Sequence, residues 1–193
     1  MCGATERSGI MADKIITIFS DASLRGNRSG WAAWAKCDGR TMRISAGITW
    51  PVSNIAEAET VALTMAILKA VEEFKPSPGT VIVAQSDSCD ALGALRWASN
   101  IAASAPPVLV AKGTDAIPGM PKTLNGERAA FAQRAIKVAL EAKVLIYVKH
   151  VRAHTGKADP RSSVNEWCDR QAKVEAGRVV IYPNASAPRR QLF

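Results

Sequence analysis

Two aspartates follow apolar, β-rich runs: Asp21 after KIITIFS (14–20) and Asp87 at the close of TVIVAQSD (80–87). One aspartate past a strand is usually a turn cap. Two of them at strand ends gather the hard oxygen donors that a divalent cation needs. Phosphodiester cleavage gains from such a group, because two cations about 3.5–4 Å apart activate a water and stabilise the leaving oxygen. Glu59 qualifies as a third member, since Ala62 and Ala66 follow it as a small-residue stripe that can press against a sheet. Asp169, in NEWCDRQA with Ala172 three residues on, is a fourth. Glu57 lies on the same helix and is the alternative to Glu59; the alanines favour Glu59.

The elements that must carry these acids follow from periodicity and turn chemistry. Residues 14–20 form a strand that ends at Asp21, and LRGNRSG supplies a tight reversal. GWAAWAKC (30–37) and RTMRISAGITW (40–50) form a hairpin around Asp38-Gly39, a pair suited to the positive φ of such turns. Ala58, Val61, Met65 and Leu68 recur at helical spacing over 54–74, and Lys75-Pro76-Ser77-Pro78-Gly79 ends the run. A buried strand at 80–87 precedes a helix at 88–100, which Ala105-Pro106-Pro107 breaks. Residues 101–123 lack periodicity and are expected to be a loop insertion. A helix at 127–144, a strand at 144–151, a polar loop around His154 and a helix at 164–176 complete the chain. Strands that meander and then alternate with helices imply an α/β (mixed α+β) fold, a mixed sheet flanked by helices in three layers. Segments 1–13 and 181–193 are expected to be flexible, leaving one domain over 14–180.

With those elements in place, four blocks resemble the motifs of type 1 ribonuclease H in order. Asp21-Ala22-Ser23 with Gly26-Asn27 is similar to the family's opening Asp-Gly-Ser, with alanine for glycine. Ser53-Asn54 and Ala58-Glu59-Thr60-Val61-Ala62 resemble its asparagine loop and helix glutamate, although Asn54-Ile55-Ala56-Glu57 also fits. Ser86-Asp87-Ser88 resembles Thr-Asp-Ser, and Lys149 through His154-Thr155-Gly156 to Asn165-Glu166-Trp167-Cys168-Asp169 resembles the histidine loop and final aspartate, with a longer spacing. The resemblance implies a five-stranded mixed sheet and cleavage of the RNA strand of RNA/DNA hybrids, leaving 5′-phosphate and 3′-hydroxyl ends. It further implies that Asp21, Glu59, Asp87 and Asp169 hold two Mg2+ or Mn2+ ions, that His154 moves protons, and that Asn27 and Asn54 contact the hybrid's minor groove.

Composition agrees with such a partner. The formal charge of +8 draws the protein towards polyanions. Lys122, Arg128, Arg134, Lys137 and Lys143 could hold backbone phosphates if folded onto one face. Trp31, Trp34, Trp50, Trp97 and Trp167 are expected in the core, with Trp97 the candidate for substrate contact. Four scattered cysteines, Cys2, Cys37, Cys89 and Cys168, suggest reduced thiols rather than a disulfide framework or zinc site. No apolar run approaches the about 18 residues of a membrane span, and the N-terminus lacks a signal core. The expectation is a cytoplasmic monomer with no protein partner. Competing readings are a junction resolvase or exonuclease with a similar acid cluster, and a non-catalytic nucleic-acid-binding module.

Overall fold

The structure is a computed structural model that describes residues 14–102, 108–110, 117–118, 121, 124–151 and 160–178. Three antiparallel strands open the chain: β1 (Ile15–Arg25), β2 (Arg28–Cys37) and β3 (Arg40–Ile48). The β2–β3 turn takes positive φ at Asp38 (47°) and Gly39 (80°), the geometry expected of Asp-Gly. Helix α1 (Ile55–Phe74) follows, then β4 (Val81–Ser86), α2 (Cys89–Ile101), β5 (Val108–Val110), α3 (Gly126–Glu141), β6 (Leu145–His150) and α4 (Pro160–Arg178).

The sheet runs β3-β2-β1-β4-β6-β5. β1 pairs parallel with β4, and β6 lies parallel between β4 and β5. The expected five-stranded mixed sheet is therefore present as β3-β2-β1-β4-β6. A sixth strand is added within the segment expected to be a loop: β5 pairs Val108 with Ile146 on the outer edge of β6. Three residues are too few to display a period, and the free edge of β6 supplies the pairing that no local pattern announces.

Side-chain alternation sorts the two faces. Ile16, Ile18, Trp31, Ala33, Ala35, Ile82, Ala84, Ile146 and Val148 point into the main core, beneath α1, α2 and α3. Phe19 and Ala32, of opposite parity, meet Cys168 and Ala172 of α4 on the other face. Each fully buried Ile or Leu contributes about 1.5–3 kcal/mol, so the α1–α3 face carries most of the hydrophobic stabilisation. α4 comes unusually close to β2 at Gly30, where a Cβ would lie 2.4 Å from both Ala172 O and Ala176 N. Most tryptophans pack as expected: Trp31 is buried, and Trp50 stacks on Phe131 with centroids 5.8 Å apart. Cys37, Cys89 and Cys168 are free thiols, while Cys2 lies outside the described residues. Among the described residues no helix is long and apolar enough to cross a membrane.

Candidate active site

β1 does not stop at Asp21. It continues to Arg25, held by antiparallel pairing with β2 down to Arg25↔Arg28. Its parallel pairing with β4, by contrast, ends at Phe19↔Gln85. Beyond that register the two strands part, and Asp21 stands on the open side of β1 in a crevice at the strand ends. β4 ends through local polar chemistry. Ser86 Oγ accepts from the Ser88 amide at 3.1 Å, and Ser88 then caps α2 by accepting from the Ala91 amide at 3.2 Å. Asp87 lies between these serines and steps out into the crevice.

Among the described residues Asp21, Glu59 and Asp87 bring one carboxylate oxygen each within 4.8 Å of one another. Asp21 is 6% exposed and Glu59 8% exposed, so both carboxyls have lost most of their hydration. Burial, then the charge of Asp87, lifts the Asp21 carboxyl from 3.8 to about 7, against hydrogen bonds from Glu59 and from the Ala22 amide at 2.7 Å. Burial, then Asp21 and Asp87, holds Glu59 well above the ordinary value for glutamate. Burial and the neighbouring acids thus favour the protonated form of Glu59, which hydrogen-bonds with Asp21. Its Oε2 is buried with no hydrogen-bond partner. Three carboxyls crowded into low dielectric store repulsion that a multivalent cation would relieve.

Asp169 enters from the opposite layer, on α4. It lies outside the close trio, and its Oδ2 accepts from Lys173 Nζ at 2.7 Å. Its charge nonetheless reaches Asp21, whose pKa it helps to raise. Glu57 is placed elsewhere: its Oε2 accepts from the Ser53 amide at 3.1 Å and from Asn125 Nδ2 at 3.0 Å, while its own amide donates to Asn54 Oδ1 at 3.0 Å. Glu57 is part of the cap of α1, which leaves Glu59 as the helix acid that faces Asp21. Asn54 is that helix's N-cap, and Asn27 is exposed in the β1–β2 turn. His154 lies outside the described residues.

Of the five basic residues that could hold phosphates if folded onto one face, Arg128 does not share an exposed face with the others. Arg128 is 1% exposed, with Nε donating to Thr60 Oγ1 at 2.8 Å and Nη1 lying 3.3 Å from Asp90 Oδ2. Lys137 is on the surface beside Glu141, and Lys122 lies outside the described residues. Arg128 shares the inward stripe of α3 with Phe131, Ala132 and Ala135, spacing that marks it as interior once the helix is recognised. Two other residues at the site escaped the sequence reading. Asn125 caps α3 and bridges to Glu57, and His150 at the end of β6 brings Nε2 within 3.1 Å of the Asp87 carbonyl oxygen. Asn125 carried a cap signal, sitting three residues before Arg128 at the start of an alanine-rich helix. His150 carried none, because its contact is made across two parallel strands. Trp97 is half-buried against the main core.

Several solved structures are similar to this chain. Ribonuclease H1 from Halobacterium salinarum is 17% identical, with a TM-score of 0.53, covering 86% of this chain and 99% of its own. The N-terminal ribonuclease H domain of a Mycobacterium tuberculosis protein is 15% identical, with a TM-score of 0.56 over 86% of this chain and 96% of that one. LC11-RNase H1, crystallised with an RNA/DNA hybrid, is 15% identical, with a TM-score of 0.56 over 84% and 97% of the two chains. Curated protein sequences contain no match. At these identities the neighbours establish the fold, and the family rests on the sequence profile of RNase H, which matches residues 13–177. With that profile spanning every element from β1 to α4, the chain belongs to the ribonuclease H family.

Proposed function

We propose that this protein is an endoribonuclease that hydrolyses the RNA strand of RNA/DNA hybrids, leaving 5′-phosphate and 3′-hydroxyl ends. The observation that carries the reading is the crevice between β1 and β4, where Asp21, Glu59 and Asp87 converge within 4.8 Å. Membership of a nuclease family and the hybrid bound by LC11-RNase H1 support the choice of substrate.

The residues fit divalent cations. All the donors are hard oxygens, two of them are dehydrated, and Glu59 Oε2 has a coordination valence to spare. Asp21, Glu59, Asp87 and Asp169 would hold two Mg2+ or Mn2+ ions, which when bound supply the charge that activates a water and steadies the leaving oxygen. The chain's own residues prepare that chemistry. Asp21 and Glu59 release their protons as the site loads, and the β4–α2 turn fixes Asp87 at the crevice mouth. Lys173 pairs with Asp169 at 2.7 Å on the same face of α4. Asn27, in the β1–β2 turn, and Asn54, at the start of α1, would be the amides that test a minor groove for 2′-hydroxyls. His154 moves protons at the departing end.

Cleavage of an end-labelled RNA/DNA hybrid in Mg2+, beside single-stranded RNA, double-stranded RNA and double-stranded DNA, tests the proposal. Cutting should be confined to the hybrid's RNA strand and fall at least about a hundredfold in Asp87→Asn. An Asp87→Asn protein that cuts at the parental rate would refute the acid-cluster mechanism. Faster cutting of a four-way junction or duplex DNA would replace hybrid with that substrate.

A further inference from the structure

Arg128 is among the largest side chains that the fold buries completely, and it lies on α3, outside the elements that carry the clustered acids. Two of its contacts are each close in sequence to one of them. Nε donates to Thr60 Oγ1 at 2.8 Å, and Thr60 is the residue after Glu59. Nη1 lies 3.3 Å from Asp90 Oδ2, and Asp90 stands three residues after Asp87 in the first turn of α2. One planar guanidinium thus ties the second turn of α1 to the first turn of α2, from its place in the first turn of α3. Asn125, one turn earlier on α3, adds a second tie to α1 through Glu57.

Such a tie opposes a specific force. Glu59 and Asp87 sit on different elements, and once ionised, as cation binding requires, carboxylates whose oxygens lie within 4.8 Å of one another repel. Left to themselves, α1 and the β4–α2 turn would relax apart, which would ease the repulsion and spread the oxygens beyond the reach of one cation. A guanidinium has a rigid fork and cannot lose its charge at working pH, so it holds a fixed span where a lysine would not.

We infer that Arg128 is a positioning residue that sets the spacing of Glu59 and Asp87, and so the affinity of the crevice for divalent cations, by gripping Thr60 and Asp90. The inference rests on the metal-binding role proposed for these acids, and it is tested by a measurement that does not need catalysis. Mn2+ is titrated calorimetrically into the parent, Arg128→Met and Asp90→Asn, with circular dichroism and thermal melts of each. Methionine keeps much of the buried stem without a buried charge, and asparagine keeps an acceptor for Nη1, so the two variants disturb the fold in different ways. The Mn2+ dissociation constant should rise about tenfold in Arg128→Met and several-fold in Asp90→Asn, as expected when a support behind a metal ligand is lost. In hybrid cleavage the same variants should need correspondingly more Mn2+ while KM for hybrid changes less than about twofold. Dissociation constants within twofold of the parent in both variants would overturn the assignment, whatever their melting temperatures. If Arg128→Met fails to fold, Asp90→Asn decides alone. A parent that binds no Mn2+ also overturns it. Weakened Mn2+ binding in the variants of a parent that cuts no hybrid would uphold the role of Arg128 and refute the nuclease reading instead.

Discussion

Asp21 shows how a site residue opposes the stability of its own fold. Its carboxyl titrates at about 7 in the folded protein against 3.8 ordinarily, because it is buried and faces Asp87. Between those values the folded chain holds a proton that the unfolded chain has released. The group's contribution to stability is therefore present below pH 3.8 and lost as the pH rises through about 7. The loss is on the order of a few kcal/mol. Without divalent cations the melting temperature should fall between pH 5 and 8 by about 5–10 °C, and Asp21→Asn should flatten that dependence while abolishing cleavage. Thermal melts in EDTA across this range check it, and parallel pH profiles for parent and variant would refute the electrostatic account. Cleavage has the opposite sign: loading the site displaces protons from Asp21 and Glu59, so the rate should climb as the pH passes about 7. A rate independent of pH from 6 to 8 at limiting Mg2+ would show that these protons are not displaced.

Individual elements bring these residues together, and α4 is the one whose seat is most constrained. Its backbone lies so close to β2 that a Cβ at Gly30 would be 2.4 Å from Ala172 O and Ala176 N, and backbone on a packed helix cannot rotate out of the way. Gly30→Ala should therefore lift α4, costing about 1–3 kcal/mol, and carry Asp169 away from the crevice with it. Urea unfolding should register the first effect, and a fall of at least about tenfold in cleavage the second. Parental values for both would mean that α4 is not wedged against Gly30. Strand β1 teaches a different lesson. The apolar run ends at Ser20, yet the strand continues to Arg25, because β2 offers hydrogen-bond partners along its whole length. A run of hydrophobic residues reports burial, whereas a strand's end is set by its neighbour.

Over the whole molecule, the excess of +8 should make hybrid binding weaken with salt through release of counterions from the phosphates. Binding of hybrid to Asp87→Asn in Mg2+ should lose at least about tenfold in affinity between 50 and 200 mM KCl, and a flat response would remove phosphate contacts from the proposal. Arg128, one of the basic residues considered for that attraction, is excluded from it because it points into the interior. The sequence alone determined the antiparallel opening, the four helices, the Asp-Gly turn and the two strand-end acids Asp21 and Asp87, because periods of 2 and 3.6 and the φ demands of turns are local properties. Tertiary structure decided the rest. Glu57 and Glu59 differ by about 200° around one helix axis, so the seating of α1 on the sheet sends one into a cap and the other to Asp21. The pairing of β5 with β6, the contact of His150 with Asp87 and the grip of Arg128 on Thr60 and Asp90 join residues far apart in the chain. No local pattern can encode such contacts, because they exist only once the layers have packed.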